Sequence, residues 1–529
     1  MVEQNTGPAL SPLEQKIGEG MDLLRQGKFG EAMRLATALL AEHPGNAQVL
    51  FLAGEIRLAA GDAAGALPLV TAANAAAPGQ PPLMLKLAHV LLMLRRRQDA
   101  CTLVGEAANI AYKDGRALWA LSKIPANAGQ PAQARELLEK ALGTGFTHPG
   151  LLYDLAAALF FLGETEAAAA QLESLLAMAP KAGAALYLRS TLRTATEAGN
   201  HVADLESRLA DGFAEPASEA ACRFALAKEL EDLGQDARAI EELNRAAALK
   251  HSTLRHDPAG ELAALESVRT AWTREVMAND APGHDEEGAI FIVGMPRTGT
   301  TLVERMLGRQ GEVGEAGELL DFGQLLAAAA QRMAARPPGM PLAEASTRID
   351  FAALGRDYMA GLRQAAPGHR FVIDKMPINY MYCGMIRKAL PKARIIHLVR
   401  DPMDTGYAVY KTMFSQAYPF SYDQVELADY YAAYRRLMQH WHEVMPGQVL
   451  DVRYEELVTD PEGQARRLLE FCGLAWNDDV LAPEASDRPS TSASASQVRQ
   501  PVHTGSVGKW RRYADGLRVL KDRLAHHGL

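Results

Sequence analysis

A period constrains this chain more than any other feature. Gly27, Gly61, Arg95, Gly129 and Gly163 stand 34 residues apart, and Gly199 and Gly234 continue the series at 36 and 35. Five residues after six of these markers comes an alanine: Ala32, Ala66, Ala100, Ala134, Ala168 and Ala239. Pro44, Pro78 and Pro180 each fall 17 residues after their unit's marker. A glycine or small residue ends one helix in a tight turn, an alanine lets the next helix approach its neighbour closely, and a proline ends the pair. Alanine-rich composition alone does not hold a register over five consecutive markers. The first half is therefore expected to be stacked helix pairs, each burying its apolar face only against its neighbours.

Units such as "GDAAGALPLVTAANAAAP" and "GETEAAAAQLESLLAMAP" resemble tetratricopeptide repeats. The likeness runs from about residue 14 to about residue 250 and is least regular between Gly163 and Gly234. It implies a curved α-solenoid over residues 1–255 whose concave face suits an extended peptide or a partner protein. Beyond residue 251 the period fades, and residues 256–288 are expected to form a connector, with the polar stretch "MANDAPGHDEEGA" at its end. A second domain is expected over 289–529.

That second half carries four short apolar runs: "AIFIV" (289–293), "RFVID" (370–374), "ARIIHLV" (393–399) and "QVLDVRY" (448–454). Each leads into a turn and a helical pattern, which predicts a parallel sheet covered on both faces, with ligands bound beyond the carboxyl ends of its strands. The first run continues as "GMPRTGTT". Gly294 and Gly299 have the four-residue gap of a Walker A loop, but Thr300 stands where that loop has its lysine. Backbone N–H groups at a helix N-terminus, the Thr300 and Thr301 hydroxyls and the Arg297 fork make a seat for one phosphate.

"PRTGTTLVERML", "DKMPINY", "HLVRDPMDTGYAVY" and "SQVRQPVHTGSVGKWRRY" together resemble sulfotransferases that use 3'-phosphoadenosine 5'-phosphosulfate (PAPS), above all the protein-tyrosine sulfotransferase branch. The resemblance implies a fold of class α + α/β: an N-terminal tetratricopeptide-like α-solenoid followed by a P-loop-like parallel α/β sulfotransferase domain. It implies PAPS as donor co-substrate and no metal, since this donor has no γ-phosphate for a Walker lysine to reach. Arg297, Thr298, Gly299, Thr300 and Thr301 match the 5'-phosphosulfate loop. Lys375 matches the lysine at the bridging oxygen, and Arg400 the arginine that binds the 3'-phosphate. Tyr454 and the segment Ser496 to Val502 match positions that line the adenosine, and Lys509 with Trp510 matches a late Lys-Trp pair near the phosphates. In one departure, Ala408 stands where family members place a serine, so a hydroxyl contact is missing unless Thr405, Tyr410 or Lys411 replaces it.

Sulfuryl transfer needs a base for the acceptor proton. Glu312, Glu315 and Glu318 compete in "GEVGEAGELLDF", and the 21-residue spacing from Arg297 in the resembling branch selects Glu318. His397, the alternative, lies inside an apolar run and reads as a packed strand histidine. The catalytic set implied is Glu318, Lys375 and Arg297. A formal net charge of -9 argues against general nucleic-acid affinity. Four scattered cysteines and the lack of a signal-type start or a long apolar run point to a reducing cytoplasm without membrane insertion. The resemblance and the repeats together suggest an enzyme acting on a hydroxyl such as a protein or peptide tyrosine, and two rivals stand against it. One is a noncatalytic repeat scaffold with a degenerate nucleotide domain, and the other, a P-loop kinase or other NTPase, is disfavoured by Thr300 and by the lack of a convincing Walker B strand.

Overall fold

The computed structural model describes residues 10–335, 339–414, 417–486, 488–489 and 501–529 of the 529-residue chain. Contacts divide the chain into two compact units, Met1–Leu151 and Leu152–Leu529. The first unit pairs Pro12–Arg25 with Phe29–Glu42, Ala47–Ala59 with Ala63–Ala76, Pro81–Met93 with Arg97–Ile110, and Gly115–Asn127 with Pro131–Gly143. Within each pair the marker forms the turn. Gly27, Gly61, Arg95 and Gly129 have φ of 72°, 77°, 64° and 75°, the left-handed region that glycine enters freely and Arg95 enters at a cost of about 1–2 kcal/mol. Ala32, Ala66, Ala100 and Ala134 are buried, as close helix approach requires. Asn46, Asp62 and Asp114 cap the helices that follow them, their side chains accepting from backbone N–H groups.

The repeat grammar continues into the second unit through Thr165–Met178, Gly183–Thr191, Val202–Ala210, Pro216–Asp232 and Asp236–Ser252. Gly163 and Gly234 keep the left-handed turn, with φ of 88° and 72°. Gly199 does not, and instead pairs with Thr196 in an isolated antiparallel bridge. The stretch 256–288 contains helices Pro258–Ala271 and Arg274–Ala278. It is anchored by Trp272, whose buried indole donates to Ser346 Oγ at 2.9 Å.

Five strands follow: β1 (Ala289–Gly294), β2 (Val313–Glu315), β3 (Phe371–Asp374), β4 (Arg394–Val399) and β5 (Val449–Arg453). Their order is β2-β3-β1-β4-β5 and every pairing is parallel. Four of them are the apolar runs read from the sequence. β2 was not foreseen, because its three residues, "VGE", carry neither length nor an apolar run. All six residues of the central β1 are buried. On one face Ile290 and Ile292 join Val303, Met306, Phe371 and Leu468 in a core, and on the other Phe291 packs on Phe322 and Tyr358. An α-helical repeat half followed by a parallel α/β domain is thus the architecture. Among the described residues no helix is long and apolar enough to cross a membrane.

Candidate active site

Every strand of the sheet delivers a candidate residue at its carboxyl end. β1 runs into Arg297 and Thr298 to Thr301, β3 into Lys375, β4 into Arg400 and β5 into Tyr454. Glu318 follows β2 by three residues. Since β3, β1 and β4 are neighbours, the three cation-bearing ends lie side by side.

The loop after β1 is built for close approach. Gly294 and Gly299 have φ of 147° and 101°, and Arg297 is left-handed at 67°. A Cβ on Gly299 would stand 2.6 Å from the Tyr454 ring, so only glycine fits between loop and ring. The Thr298 hydroxyl donates to the Met295 carbonyl at 2.7 Å and ties the loop to its own start. Thr300 and Thr301 open the helix Thr300–Gly308, whose N-terminal N–H groups and dipole favour an anion. Arg297 is half-buried beside Tyr187 and Arg400, and the loss of water around it works against its charge.

Lys375 is almost fully buried and its ammonium donates to Glu318 Oε1 at 2.5 Å, with Glu304 Oε2 at 3.8 Å. Burial opposes the lysine charge, but the carboxylates of Glu304 and Glu318 outweigh it and move its pKa upward. β2 is the cause of this meeting. Glu315 pairs with Ile373, and beyond the strands Lys375 N–H donates to the Gly317 carbonyl at 2.8 Å, which sets Glu318 beside the lysine. Glu304 was missed by sequence reasoning. It is buried four residues into the helix that Thr300 opens, and burial raises its pKa to about 7. An acid-base pair, Glu304 and Arg305, amid the apolar residues of "TLVERML" was the available signal. Asp374, also raised to about 7 by burial, accepts from Tyr358 and Asn379 at 2.8 and 3.2 Å.

Arg400 donates to the carbonyls of Arg297 and Ser506 at 3.0 and 2.7 Å, and its guanidinium lies 4.6 Å from the Tyr454 ring centre. Its Nε is buried without a hydrogen-bond partner among the described residues, a donor suited to a bound anion. The Tyr454 hydroxyl meets Ser506 Oγ at 2.7 Å. Asp404 receives the backbone N–H groups of Gly508 and Trp510 at 2.6 and 3.3 Å, fixing the late turn that carries Lys509. Ser496 lies outside the described residues. Pro501 and Val502, at the end of its segment, line the same cavity as Arg297, Thr300, Thr301, Arg400, Tyr454 and Lys509. That cavity, of about 940 Å³, lies wholly within the second unit and extends to aromatic side chains of repeat helices, among them Tyr187 and Phe224. A nucleotide with two phosphate groups fits the chemistry of the cationic end.

Ala408 lines this cavity, as does Lys411 one turn on. Of Thr405, Tyr410 and Lys411, Tyr410 turns away to Asn244 at 2.9 Å and Thr405 is directed to the Arg400 carbonyl. Lys411 alone of the three faces the cavity. The competing carboxylates are employed elsewhere: Glu312 is matched with Arg370 at 3.3 Å, and buried Glu315 with Arg305 at 3.1 Å. His397 is buried in β4, with one ring nitrogen 2.7 Å from Asp451 and the other hydrogen-bonded to Tyr434. Two His-His-carboxylate groups, His251/His256/Glu426 and His397/His442/Asp451, have ligand atoms within 4.8 Å of one another. In both, the imidazoles are hydrogen-bonded to the carboxylate.

Residues 289–478 match the profile of the sulfotransferase family, and residues 17–81, 57–124 and 127–192 match tetratricopeptide-repeat profiles. An uncharacterized protein of Aquifex aeolicus is 31% identical over 402 residues, covering 74% of this chain and 52% of its own. The protein-tyrosine sulfotransferase of Drosophila melanogaster is 27% identical over 245 residues, covering 42% of this chain and 46% of its own. The chain therefore spans about half the length of these two relatives. Among solved structures, the sulfotransferase domain of a Synechococcus olefin synthase is 19% identical with a TM-score of 0.33, covering 46% of this chain and 97% of that one.

Proposed function

The chain joins tetratricopeptide repeats to a sulfotransferase-family domain, and we propose that it transfers the sulfuryl group of PAPS to an acceptor hydroxyl. The observation that carries this reading is the convergence of Arg297 to Thr301, Lys375, Glu318 and Arg400 at the carboxyl ends of adjacent parallel strands. In this reading the loop at Arg297, Thr298, Gly299, Thr300 and Thr301 binds the 5'-phosphosulfate, and Arg400 binds the 3'-phosphate. Tyr454, Ser496 and Lys509 complete the nucleotide contacts.

The acceptor oxygen forms a bond to sulfur as the bond from sulfur to the bridging phosphate oxygen breaks. The acceptor proton passes to Glu318, and the electron pair stays on the leaving phosphate oxygen, where Lys375 and Arg297 offset the charge. The products are a sulfate ester and adenosine 3',5'-bisphosphate. Positioning and charge stabilisation suffice, with no covalent intermediate and no metal in the scheme. Repeats of this kind suit a protein or peptide, so a protein tyrosine is the acceptor we favour. Functionally we divide the chain into repeats at 1–255, a connector at 256–288 and a transferase domain at 289–529, acting in the cytoplasm.

The test is turnover of labelled PAPS with a peptide library, together with thermal shifts by adenosine 3',5'-bisphosphate and AMP in the absence of Mg²⁺. Labelled product and a larger shift with the bisphosphate support the proposal, and equal shifts with the two nucleotides reject the donor. Ala408 in the cavity favours a second reading, a noncatalytic nucleotide-binding scaffold. Bisphosphate binding without any labelled product would select it.

A further inference from the structure

One buried carboxylate at the cavity comes from a repeat helix. Glu231, near the end of Pro216–Asp232, accepts from the Lys411 ammonium with both oxygens, at 2.7 and 3.0 Å. Its Oε1 also takes the Lys509 ammonium at 2.5 Å. The two lysines share one carboxylate oxygen although they reach it from different places, the end of the helix after β4 and the late turn held by Asp404. The Glu231 side chain is 8% exposed, whereas those of Lys411 and Lys509 are 25% and 30% exposed and line the cavity with Arg297 and Arg400.

Two ammonium groups held this close repel each other, and burial penalises the charge of Lys411. For Lys411, burial and then Lys509 and Arg297 act to lower its pKa, while Glu231 acts to raise it. The lysines in turn hold the Glu231 carboxyl down at about 2 against its own burial. The carboxylate thus offsets the repulsion between the two ammonium groups, although burial still leaves the Lys411 pKa lowered on balance, and both lysine side chains line the cavity. A packing salt bridge needs only one partner on each side and no cavity.

We propose that Glu231 is a positioning residue of the transfer site: it holds Lys411 and Lys509 together as a ligand pair for a phosphate group of a nucleoside bisphosphate, so that the irregular repeats form a wall of the site. The proposal rests on the donor reading given above and extends it to a residue outside the transferase domain. It also gives Lys411 the role that a serine at Ala408 would have had.

The experiment compares wild type, Glu231→Gln and Glu231→Asp as full-length chains, measuring adenosine 3',5'-bisphosphate and AMP affinity by calorimetry between pH 6.5 and 9 and the donor KM. In Glu231→Gln, bisphosphate affinity and donor KM should worsen roughly 10- to 100-fold, the scale of a lost charged hydrogen-bond pair. AMP affinity should change far less. The loss should deepen as pH rises, because Lys411, facing Lys509, Arg297 and the Tyr407 ring without a carboxylate, gives up its proton more readily. Glu231→Asp, which keeps the charge, should recover most of the affinity. Should Glu231→Gln fail to fold, lysine acylation of the wild type read by mass spectrometry replaces it, with Lys411 and Lys509 expected to be protected by the bisphosphate and not by AMP.

Unchanged or tighter bisphosphate binding in Glu231→Gln, or no protection of either lysine, overturns the proposal. If the wild type fails to prefer the bisphosphate over AMP, the donor reading and this inference fall together. If the wild type prefers it and the variant does so equally, only the inference falls.

Discussion

The repeat helices before Leu151 and those between Thr165 and Ser252 share one grammar but differ in what they bury. In the first unit Ser122 is the one buried polar residue among those described, and the rest of the interior is apolar, chiefly alanine, leucine and valine. In the later repeats Arg189, Ser190, Glu229 and Glu231 are buried as well. Arg189 is matched with Glu173 and Asp204, Glu229 with His201, and Glu231 with the two cavity lysines. A buried charge is costly unless its partners stand in one geometry, so such residues accumulate where a helix has a task beyond stacking. The same stretch is where the spacing slips to 36 and 35, where Gly199 leaves the left-handed turn and where the repeat-profile matches end at residue 192. Regularity here marks scaffold, and irregularity marks contact with the site.

If that contrast is right, substitutions of buried or paired charge should strike activity, and substitutions in the regular repeats should strike stability alone. The largest effect is expected for Glu318→Ala, which should lower turnover roughly 10²- to 10⁴-fold while leaving bisphosphate affinity nearly intact. Glu312→Ala is the control, its side chain being partly exposed and matched, among the described residues, with Arg370. Glu315→Ala is a poor one, because Glu315 is buried against Arg305, which in turn holds Ser486 and the carbonyls of Arg488 and Pro489. A control that costs as much as Glu318→Ala would show that the base lies elsewhere.

Next in size, Arg400→Ala should weaken adenosine 3',5'-bisphosphate roughly 10- to 100-fold and AMP much less, as measured by calorimetry. Then comes a test from the other side of the contrast. Ala66→Leu overfills a fully buried site between regular repeats and should cost about 1–3 kcal/mol in denaturant unfolding of that unit. Donor KM and turnover of the folded enzyme should not change. A loss of donor affinity in this variant would break the distinction between scaffold and working repeats.

The smallest effect concerns Glu304. Its folded pKa of about 7 lies above the ordinary carboxylate value of about 4.3, so the folded state binds more protons between those two points. Its contribution to stability is therefore full at the acid end of that window and is lost as pH rises through about 7. Urea midpoints recorded across the window should fall with pH in the wild type and fall less steeply in Glu304→Gln. Asp374, shifted in the same direction, would keep part of the slope.

Features set by near neighbours were legible in the sequence alone. The 34-residue register announced the helix pairs because turn, close approach and stop recur within each unit, and all six spaced alanines are buried. β1, β3, β4 and β5 were legible because strands of a covered parallel sheet are runs of Ile and Val. The loop residues Arg297 to Thr301 were legible as a phosphate seat between a strand and a helix, and Lys375 and Arg400 were named by the resemblance to PAPS-using sulfotransferases.

Tertiary structure alone decided what depends on distant pairing. β2 is an edge strand of three residues that exists by pairing with β3 some sixty positions on, and that pairing sets Glu318 against Lys375. Glu231 reads in "AKELEDLG" as one more acid at a helix end, and it becomes distinct only when Lys411 and Lys509 meet it across 180 and 278 residues. Periodicity records local packing, which repeats along the chain, whereas a buried ion pair is made once and leaves no repeating trace in the sequence.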